Sequence, residues 1–384
     1  MKILFLAPQP FFEERGTPIA VRTAAEGLAA QGHLVDLLTY HVGQEVEMRG
    51  VTHHRIAAPP GIGKVPIGFS LKKLVCDLWM IGSAIRLMTR GRYDVIHAVE
   101  ESVFIALFLP LIRGAKVVYD ADSILSEQIA EKWSWATPIS RALAWCERLA
   151  FRKSDLVLAV CPAIRDSAAS VARPSRVHLL PDIAFDAPEV TGEVDDIRAL
   201  GEGRQIALYV GNLEAYQGVG LLLEAQSRIP VEDRPMLVVI GGDAAAVERH
   251  GDLARSLGVD KDVRLLGPRP LAALQAYLNQ ADILCSPRMK GRNTPMKIFS
   301  YMGSARPILA TDIESHTQVL DGECAYLVAP EAEAMADGLR DLTRDAALRG
   351  RLAEAAGVRA RTEYSHAAFL ARLQRAYDTL VVPP

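Results

Sequence analysis

The segment IALYVGNLEAYQGVGLLLEAQ (residues 206–226) decides the fold. It opens with a short apolar run, continues through a turn that contains Gly211 and Gly218, and ends in a stretch with helical spacing. A buried strand, a glycine-containing turn and an amphipathic helix in that order are typical of one unit of a parallel sheet. The same rhythm recurs on both sides of the segment, so the sequence predicts an α/β protein.

Each half of the chain shows this alternation of short apolar runs and stretches with helical spacing. In the first half, short apolar runs predict strands at residues 2–7, 34–39, 95–98, 116–120, 156–160 and 176–180. In the second half they predict strands at residues 206–211, 236–241, 263–267, 283–286, 307–310 and 325–328. Stretches of helical period lie between most of them, which indicates two doubly wound parallel sheets.

A chain of 384 residues is long enough for two hydrophobic cores. Residues 188–204 are acidic, contain glycine and are poor in large apolar side chains, as a linker would be. We therefore predict an N-terminal domain at residues 1–187, a linker at 188–204 and a C-terminal domain at 205–363. Residues 364–384 are predicted to form a helix that packs back on the first domain.

Composition narrows the class of partner. The formal net charge is only −3, so no overall positive field points to nucleic acid. The five cysteines are odd in number and lack paired metal-ligand spacing, which favours reduced thiols in a cytoplasmic protein. The most apolar run after the first strand spans about ten residues, where a bilayer crossing needs about twenty. No transmembrane helix is expected.

Ligands of open parallel sheets bind at the carboxyl ends of the strands, where free N–H groups at helix starts suit phosphate. After the first strand, Gly16 would let the backbone approach a diphosphate, with Thr17 as helix cap and Pro18 at the first helical position. Arg15 or Arg22 could supply positive charge. An ordinary loop and cap would explain the same residues.

Further segments follow one another in a specific order. After the opening segment come VVIGGD (238–243), VRLLGPRP (263–270), ADILCSP (281–287) and NTPMKIFSYMGSARPILATD (293–312). The first half contains YDVIHAVEE (93–101), VVYDADS (117–123), SDLVLAV (154–160) and VHLLPD (177–182). Over nearly its whole length the chain resembles the large retaining glycosyltransferase group called family 4. The resemblance implies the GT-B fold, two Rossmann-like domains facing a cleft.

The resemblance also implies a function. A hexose-type sugar would move from a nucleotide-diphosphate sugar, held by the second domain, to a glycan or lipid-linked acceptor, held by the first, with retention and without a metal cofactor. Three alternatives stay open. They are a nucleotide-sugar epimerase of the same fold, a non-catalytic GT-B scaffold that has lost donor-binding residues and, with the least support because no nucleophile elbow is present, a simple hydrolase. The nucleotide base, the sugar, the acceptor and the oligomeric state are not fixed by the sequence.

The donor diphosphate of the family faces the start of a helix that corresponds here to the one after Thr294, with Pro295 in its first turn and Lys297 close behind. Thr294 is predicted to cap this helix. The donor-binding candidates that the resemblance and the loop positions imply are Gly16, Thr17, Gly211, Asn212, Gln217, Gly241, Gly267, Arg269, Arg288, Arg292, Asn293, Thr294, Met296, Lys297 and Ser300.

The chain departs from the family at several of these positions. Arg292 and Ser300 stand where the family usually has two glutamates, the second of which holds the ribose. Asn212 and Gln217 stand where an arginine and a lysine usually neutralise the diphosphate. Amides donate hydrogen bonds but bring no charge. Positive charge must then be absent or come from other candidates, which are Arg15, Arg22, Arg288, Arg292 and Lys297.

Catalytic candidates lie in the first half. Asp122 stands where the family commonly has a histidine, and it could act as a base or simply cap a turn. His97 and Glu101 are predicted on a loop after a strand, near the acceptor or the reacting sugar. Asp120 and Asp122 alternate as in some cation sites, but such pairs are common by chance and no metal site is expected.

The stretch from residue 60 to residue 90 combines Gly, Pro and apolar residues with Lys64, Lys72, Lys73 and Arg86. This pattern suits peripheral contact with an anionic membrane, at the inner face, to reach a lipid-linked acceptor. Core helices with basic ends would explain it too.

Overall fold

A computed structural model of the chain describes residues 1–13, 16–66, 70–110, 114–126, 129, 137–184 and 194–381. The chain divides into two compact units. The first contains Met1–Pro181 together with the C-terminal residues from Phe369 onward, and the second contains Asp182–Ala368. Each unit is built on one parallel sheet.

The sheet of the first unit has seven strands in the order β3-β2-β1-β4-β5-β6-β7, all parallel. The strands are β1 (Lys2–Leu6), β2 (Leu34–Thr39), β3 (Val51–Arg55), β4 (Val95–Val99), β5 (Lys116–Ala121), β6 (Leu156–Ala159) and β7 (Val177–Leu179). β4 and β6 are buried at every position, since helices cover both faces of the sheet. The strand order reverses between β1 and β4, which places the expected binding edge at their carboxyl ends.

The helices that accompany this sheet are α1 (Gly16–Ala30), α2 (Leu71–Arg90), α3 (Ser102–Ala106), α4 (Thr137–Lys153), α5 (Pro162–Ala169) and the C-terminal helix (His366–Val381). The C-terminal helix packs against α1. The Gln31 side chain donates to the carbonyl of Leu370 at 2.9 Å, and a Cβ atom on Gly27 would lie 2.6 Å from the Leu370 side chain. A glycine is therefore needed for this close contact.

The second unit has six parallel strands in the order β10-β9-β8-β11-β12-β13. They are β8 (Ile206–Val210), β9 (Met236–Ile240), β10 (Val263–Gly267), β11 (Ile283–Ser286), β12 (Ile308–Thr311) and β13 (Tyr326–Val328). All six were predicted to within a residue at each end. The order reverses between β8 and β11, so the loops after these two strands border the expected ligand crevice.

The helices of the second unit are α6 (Ile197–Leu200), α7 (Val219–Arg228), α8 (Ala244–Ser256), α9 (Leu274–Gln280), α10 (Met296–Gly303), α11 (Glu314–Thr317), α12 (Ala332–Arg344) and α13 (Ala346–Glu363). α10 and α13 contribute to the core on one face of the sheet, and α7 and α12 contribute to the core on the other. The start of α10 is thereby fixed at the carboxyl edge.

Two predictions about local structure need correction. β3 was missed, because its sequence VTHHR is polar and none of its residues is fully buried. Residues 194–204 are not a free linker, since Ile197 is fully buried in the second unit and Asp196 accepts hydrogen bonds from the N–H groups at the start of α6. Residues 188–193 of the predicted linker lie outside the described part of the chain.

Candidate functional site

The loops at the carboxyl edge of the second sheet meet backbone to backbone. Gly218 has φ 75°, and a Cβ atom there would lie 1.9 Å from the carbonyl oxygen of Pro287. Gly241 has φ 118°, and its Cβ would lie 2.0 Å from the carbonyl oxygen of Gly211. Only glycine satisfies both the conformation and the contact. These two glycines therefore allow the loops of this edge to pack directly against one another.

Lys297 lies in the first turn of α10. Its Nζ is 3.3 Å from Oε1 of Gln217 and 4.0 Å from the centroid of the Tyr209 ring. Within the described chain no carboxylate pairs with it. Burial and the nearby charge of Arg288 lower the pKa of Lys297 from 10.5 to about 7. A lysine at a helix start whose described partners include no carboxylate is suited to an anionic ligand.

Thr294 does not cap α10, contrary to the prediction. The helix begins at Met296, and the residue in the capping position is Pro295. The Thr294 hydroxyl is buried and has no hydrogen-bond partner among the residues described. An unmade hydrogen bond on a buried hydroxyl is costly, so such groups in native proteins require an explanation. A bound ligand at the start of α10 would supply the missing partner.

Arg288 shapes the loop that leads to α10. Its Nε donates to the carbonyl of Lys290 at 2.7 Å, and its Nη1 donates to the carbonyl of Asn293 at 3.0 Å. The guanidinium also lies 5.4 Å from the centroid of the Tyr216 ring. The backbone N–H of Met289 donates to the carbonyl of Tyr216 at 2.8 Å. The loop is thus tied both to itself and to the loop after β8.

Two other arginine candidates form ion pairs. Arg269 donates to Asp195 at 2.7 Å and to the carbonyl of Leu266 at 2.6 Å, so it fastens the segment that precedes α6. Arg292 lies 3.5 Å from Glu314 through its Nε. Lys297, in contrast, contacts Gln217.

The remaining candidates of the second unit differ in exposure. Asn212 is exposed, and its carbonyl accepts from the Tyr209 hydroxyl at 2.6 Å. Gly267 has φ 69° and open space around the position of a Cβ atom. Met296 is partly exposed, whereas Ser300 is only 4% exposed on the packed side of α10. Ser300 therefore offers little surface to a ligand.

A buried polar network that the sequence did not point to lies behind this loop. His316 is fully buried, with Nε2 2.9 Å from the Ser286 hydroxyl and Nδ1 2.8 Å from the carbonyl oxygen of Thr311. The hydroxyl of Thr311 donates to the carbonyl of Arg288. Ser286 and Thr311 end neighbouring strands, β11 and β12, and that position is the only sequence signal that could have pointed to them.

In the first unit, His97 is not on a loop as predicted. It lies within β4, is fully buried and stacks on Phe5 with ring centroids 3.9 Å apart. Nδ1 is 2.6 Å from the Tyr377 hydroxyl, and Nε2 is 3.0 Å from Oδ2 of Asp120. Both ring nitrogens are engaged, so His97 joins the C-terminal helix to the sheet.

Glu101 follows β4 at the carboxyl edge of the first sheet and forms a largely buried ion pair with Lys73 of α2. Burial and the charge of Glu100 raise the pKa of Glu101 to about 7, although Lys73 opposes the shift. Burial also raises the pKa of Asp77 to about 6, against the hydrogen bond that the Tyr40 hydroxyl donates to it at 2.5 Å. Two carboxyl groups therefore titrate near neutral pH beneath α2.

Asp122 follows β5, the strand beside β4, and is partly exposed. Glu100 has φ 48°, an unfavourable conformation for a residue with a side chain, and it accepts a hydrogen bond from Ser123 at 3.1 Å. Parallel neighbouring strands end at the same edge, so the residues after β4 and β5 belong to one loop region.

The first loop of this unit differs from prediction. α1 begins at Gly16, so Thr17 and Pro18 lie inside the first turn and Thr17 is not the helix cap. Arg22 pairs with Glu26, with Nε and Oε2 3.4 Å apart. Arg15 lies outside the described residues.

α2 exposes apolar side chains along one side. The exposed fractions are 79% for Leu71, 44% for Leu74, 62% for Leu78, 39% for Trp79 and 40% for Ile85. Exposed Lys72, Arg86 and Arg90 belong to the same helix. We call this surface the outer face of α2.

In the part of the chain that is described, no helix has the length and apolar character needed to span a bilayer. In the same part of the chain, no three side chains that could bind a metal ion lie together.

Comparison with known families assigns each half of the chain to a domain type. Residues 15–182 match the family model "Glycosyl transferase 4-like domain", and residues 204–345 match "Glycosyl transferases group 1". The two matches lie in the first and second units, respectively, and together cover most of the chain.

Curated relatives carry transferase names. The chain is 28% identical over 212 residues to the phosphatidyl-myo-inositol mannosyltransferase of Mycobacterium leprae, a match that spans 52% of this chain and 55% of that protein. It is 27% identical over 308 residues to the D-inositol 3-phosphate glycosyltransferase of Corynebacterium diphtheriae, which spans 74% of this chain and 70% of that one. These names favour neither an epimerase nor a non-catalytic scaffold.

Solved structures share the fold. The sucrose-phosphate synthase of Thermosynechococcus elongatus aligns over 99% of both chains with a TM-score of 0.82 and 20% identity. The Anabaena protein HepE in complex with UDP aligns over 98% of this chain and 100% of its own with a TM-score of 0.74 and 16% identity. With the two domain matches, this likeness leads to one conclusion: the protein is a GT-B glycosyltransferase, with a glycosyl transferase 4-like first half and a second half that belongs to glycosyl transferases group 1.

Proposed function

We propose that the protein transfers a hexose-type sugar, with retention of anomeric configuration, from a nucleotide-diphosphate sugar to a glycan or lipid-linked acceptor. The second unit would hold the donor at the loops after β8, β9 and β11. One observation carries this proposal above the others. The start of α10 combines a cation without a carboxylate partner, Lys297, with the unsatisfied buried hydroxyl of Thr294, within the described chain.

In this proposal the protein's own groups neutralise the departing diphosphate, and no metal ion is required. Lys297 contributes its ammonium group, and the first turn of α10 contributes N–H groups that have no partner inside the helix. Gln217 accepts from Lys297 through Oε1, which leaves its amide NH₂ to donate to the ligand. Gly211 leaves room for this ammonium group, since a Cβ atom at that position would lie 2.6 Å from Nζ of Lys297. Fixed positive charge at the leaving group lowers the barrier to transfer.

A uridine or guanosine diphosphate sugar is the proposed donor class. Support comes from HepE, which shares the fold and whose solved structures contain UDP and UDP-glucose. Ser300 in place of the family's second glutamate leaves the ribose with weaker hydrogen bonds than a carboxylate would give. We therefore expect the diphosphate, more than the ribose, to supply the donor affinity.

At the first unit, Glu101 and Asp122 are the proposed groups that face the acceptor. Both follow neighbouring strands of one sheet edge. With its pKa near 7, Glu101 exchanges a proton readily at neutral pH, as a group that assists an acceptor hydroxyl must. His97 would act behind this edge through Asp120, without touching the substrate.

The donor site is tested by binding. The melting temperature is measured with a panel of uridine and guanosine diphosphate sugars, for the wild type and for Lys297→Met and Thr294→Val. At least one sugar nucleotide should raise the melting temperature of the wild type, and Lys297→Met should abolish that shift. Lys290→Met, which removes an exposed lysine of the neighbouring loop, is the matched control and should leave it unchanged. Failure of every sugar nucleotide at millimolar concentration would contradict the proposal.

Retention is tested on the product. Transfer from an α-linked donor should yield an α-linked product, read from the anomeric proton coupling in NMR. A β-linked product would show inversion and would contradict this part of the proposal.

The outer face of α2 is proposed to rest on the inner face of an anionic membrane, where a lipid-linked acceptor would be reached. Exposed leucines and a tryptophan suit the interface between headgroups and acyl chains, and the basic side chains suit anionic headgroups. The buried side of the same helix carries Lys73, which pairs with Glu101. Docking through the outer face would therefore bring the lipid surface close to the proposed acceptor groups.

Membrane contact is tested by co-sedimentation with vesicles. The protein should bind vesicles that contain phosphatidylglycerol and should stay in the supernatant with pure phosphatidylcholine. Leu74→Glu together with Leu78→Glu should abolish binding. Leu34→Glu, at an equally exposed leucine (67%) outside α2, is the control and should not. Equal binding by all three proteins would contradict docking through α2.

A further inference from the structure

The loop of residues 288–294, which leads to α10, is held from behind by a buried layer that sequence reasoning missed. In that layer the backbone carbonyl of Thr311 determines which ring nitrogen of His316 carries the hydrogen. Because the carbonyl of Thr311 only accepts, Nδ1 of His316 carries the hydrogen, and Nε2 accepts from the Ser286 hydroxyl. Burial lowers the pKa of His316 to about 4, so the ring is neutral at physiological pH. A single tautomer therefore satisfies both neighbours.

The same layer reaches two carbonyl oxygens of the loop. Thr311 donates its hydroxyl hydrogen to the carbonyl of Arg288, near one end of the loop. Gln318, which follows α11, donates from Nε2 to the carbonyl of Arg292 at 2.6 Å, near the other end. The hydroxyl of Thr311 is itself 3.1 Å from Nδ1 of His316. The imidazole therefore positions the Thr311 hydroxyl, which in turn binds the backbone of the loop.

We propose that His316 is a positioning residue for donor binding, and that it acts through Thr311 and Ser286 to set the path of residues 288–294. The inference rests on the proposed donor site at the start of α10. His316 is fully buried and its hydrogen bonds go to Ser286 and Thr311, so its effect on the donor site passes through the backbone of this loop. Small displacements of positioning elements have large effects on bound-state geometry.

The test separates donor affinity from the rest of catalysis. Donor Kd is measured by calorimetry with the nucleotide sugar that stabilises the wild type, and KM for donor and acceptor is measured with kcat. His316→Ala should raise donor Kd and donor KM roughly tenfold or more and leave acceptor KM unchanged. His316→Asn should recover part of the affinity, because its side-chain NH₂ takes the place of Nδ1 and keeps the bond to the Thr311 carbonyl.

Two further variants keep the inference open to refutation. Thr311→Val preserves shape, removes the hydroxyl that reaches Arg288, and should weaken donor binding even if His316→Ala fails to fold. Gln226→Ala is the matched control, since Gln226 is fully buried and donates to the carbonyl of Pro235 at 2.6 Å, at the opposite edge of the sheet. It should lower the melting temperature without changing donor Kd.

The outcomes are distinct. Unchanged donor Kd in folded His316→Ala and Thr311→Val would overturn the inference, and so would an equal rise in Gln226→Ala, which would show that only stability was lost. If the wild type itself binds no nucleotide sugar, the proposed donor site is wrong and this inference falls with it. That failure appears in the wild type and is therefore distinguishable from failure of the inference alone.

Discussion

The affinity for a nucleotide sugar should fall as pH rises through neutrality, because the free protein loses the charge on Lys297 there. Burial and Arg288 lower the pKa of this lysine from 10.5 to about 7. A bound diphosphate is an anion next to the ammonium group, and it favours the charged form. Binding should therefore take up a proton at pH values above 7, and the affinity should be highest below it.

The magnitude follows from linkage. We take the case in which the bound diphosphate returns the pKa of Lys297 to its ordinary 10.5. Kd is then proportional to the protonated fraction of Lys297 in the bound protein divided by its protonated fraction in the free protein. From about pH 6 to about pH 8.5 that ratio rises roughly 30-fold, and close to one proton is taken up per ligand at the upper end. The phosphates of a nucleotide sugar stay ionised throughout, so the ligand adds no slope.

Calorimetry at several pH values gives Kd, and repeating it in two buffers of different ionisation enthalpy gives the number of protons taken up. Lys297→Arg keeps its charge over the whole range, so its profile should be flat. Lys297→Met should bind weakly at every pH. A wild-type Kd that changes less than about threefold, or an arginine variant with the same slope as wild type, would refute the reasoning.

Three further predictions concern stability and pH dependence. Gly241→Ala should destabilise the protein by about 2–4 kcal/mol, measured by denaturant unfolding, because its Cβ would lie 2.0 Å from a carbonyl oxygen at φ 118°. Tyr377→Phe should cost about 1–2 kcal/mol in the same assay, since it leaves His97 without its 2.6 Å partner. Lys73→Met should move the acid limb of kcat/KM to higher pH, because the lysine lowers the pKa of Glu101 and its loss raises that pKa above about 7. If the acid limb of the kcat/KM profile does not move, Glu101 is not the group whose titration controls catalysis.

The strands were predictable because their physical cause is local. Strands buried on both faces must be apolar, and the sequences of the central strands β8 (IALYV) and β9 (MLVVI) show this. β3 lacks the signal, since an edge strand with partly exposed residues does not need an apolar run. Its sequence reads as a loop, and only pairing with β2 makes it a strand.

The position of Lys297 in the first turn of α10 was predictable, because the proline and the apolar run that mark the start of this helix are local in sequence. The site was not predictable where a side chain depends on a distant partner. The sequence did not reveal the structural role of His97, which lies in the predicted strand 95–98, because its bond to Tyr377 joins residues 280 positions apart. The role of His316 could not be predicted from the sequence, because it depends on a hydrogen bond with Ser286, which lies on a strand thirty residues earlier.

At position 217 the chain lacks the family's lysine, but the ammonium group of Lys297 lies next to this position. Gln217 stands where the family has a lysine, yet the Lys297 ammonium lies 3.3 Å from its Oε1. A lysine at both positions would place two ammonium groups in contact and would lower the pKa of Lys297 below its present value near 7. One of the two groups would then be neutral at physiological pH, so the second lysine would add little positive charge. The amide of Gln217 instead accepts from Lys297 and orients its ammonium group, so the proposed donor site does not need a lysine at position 217.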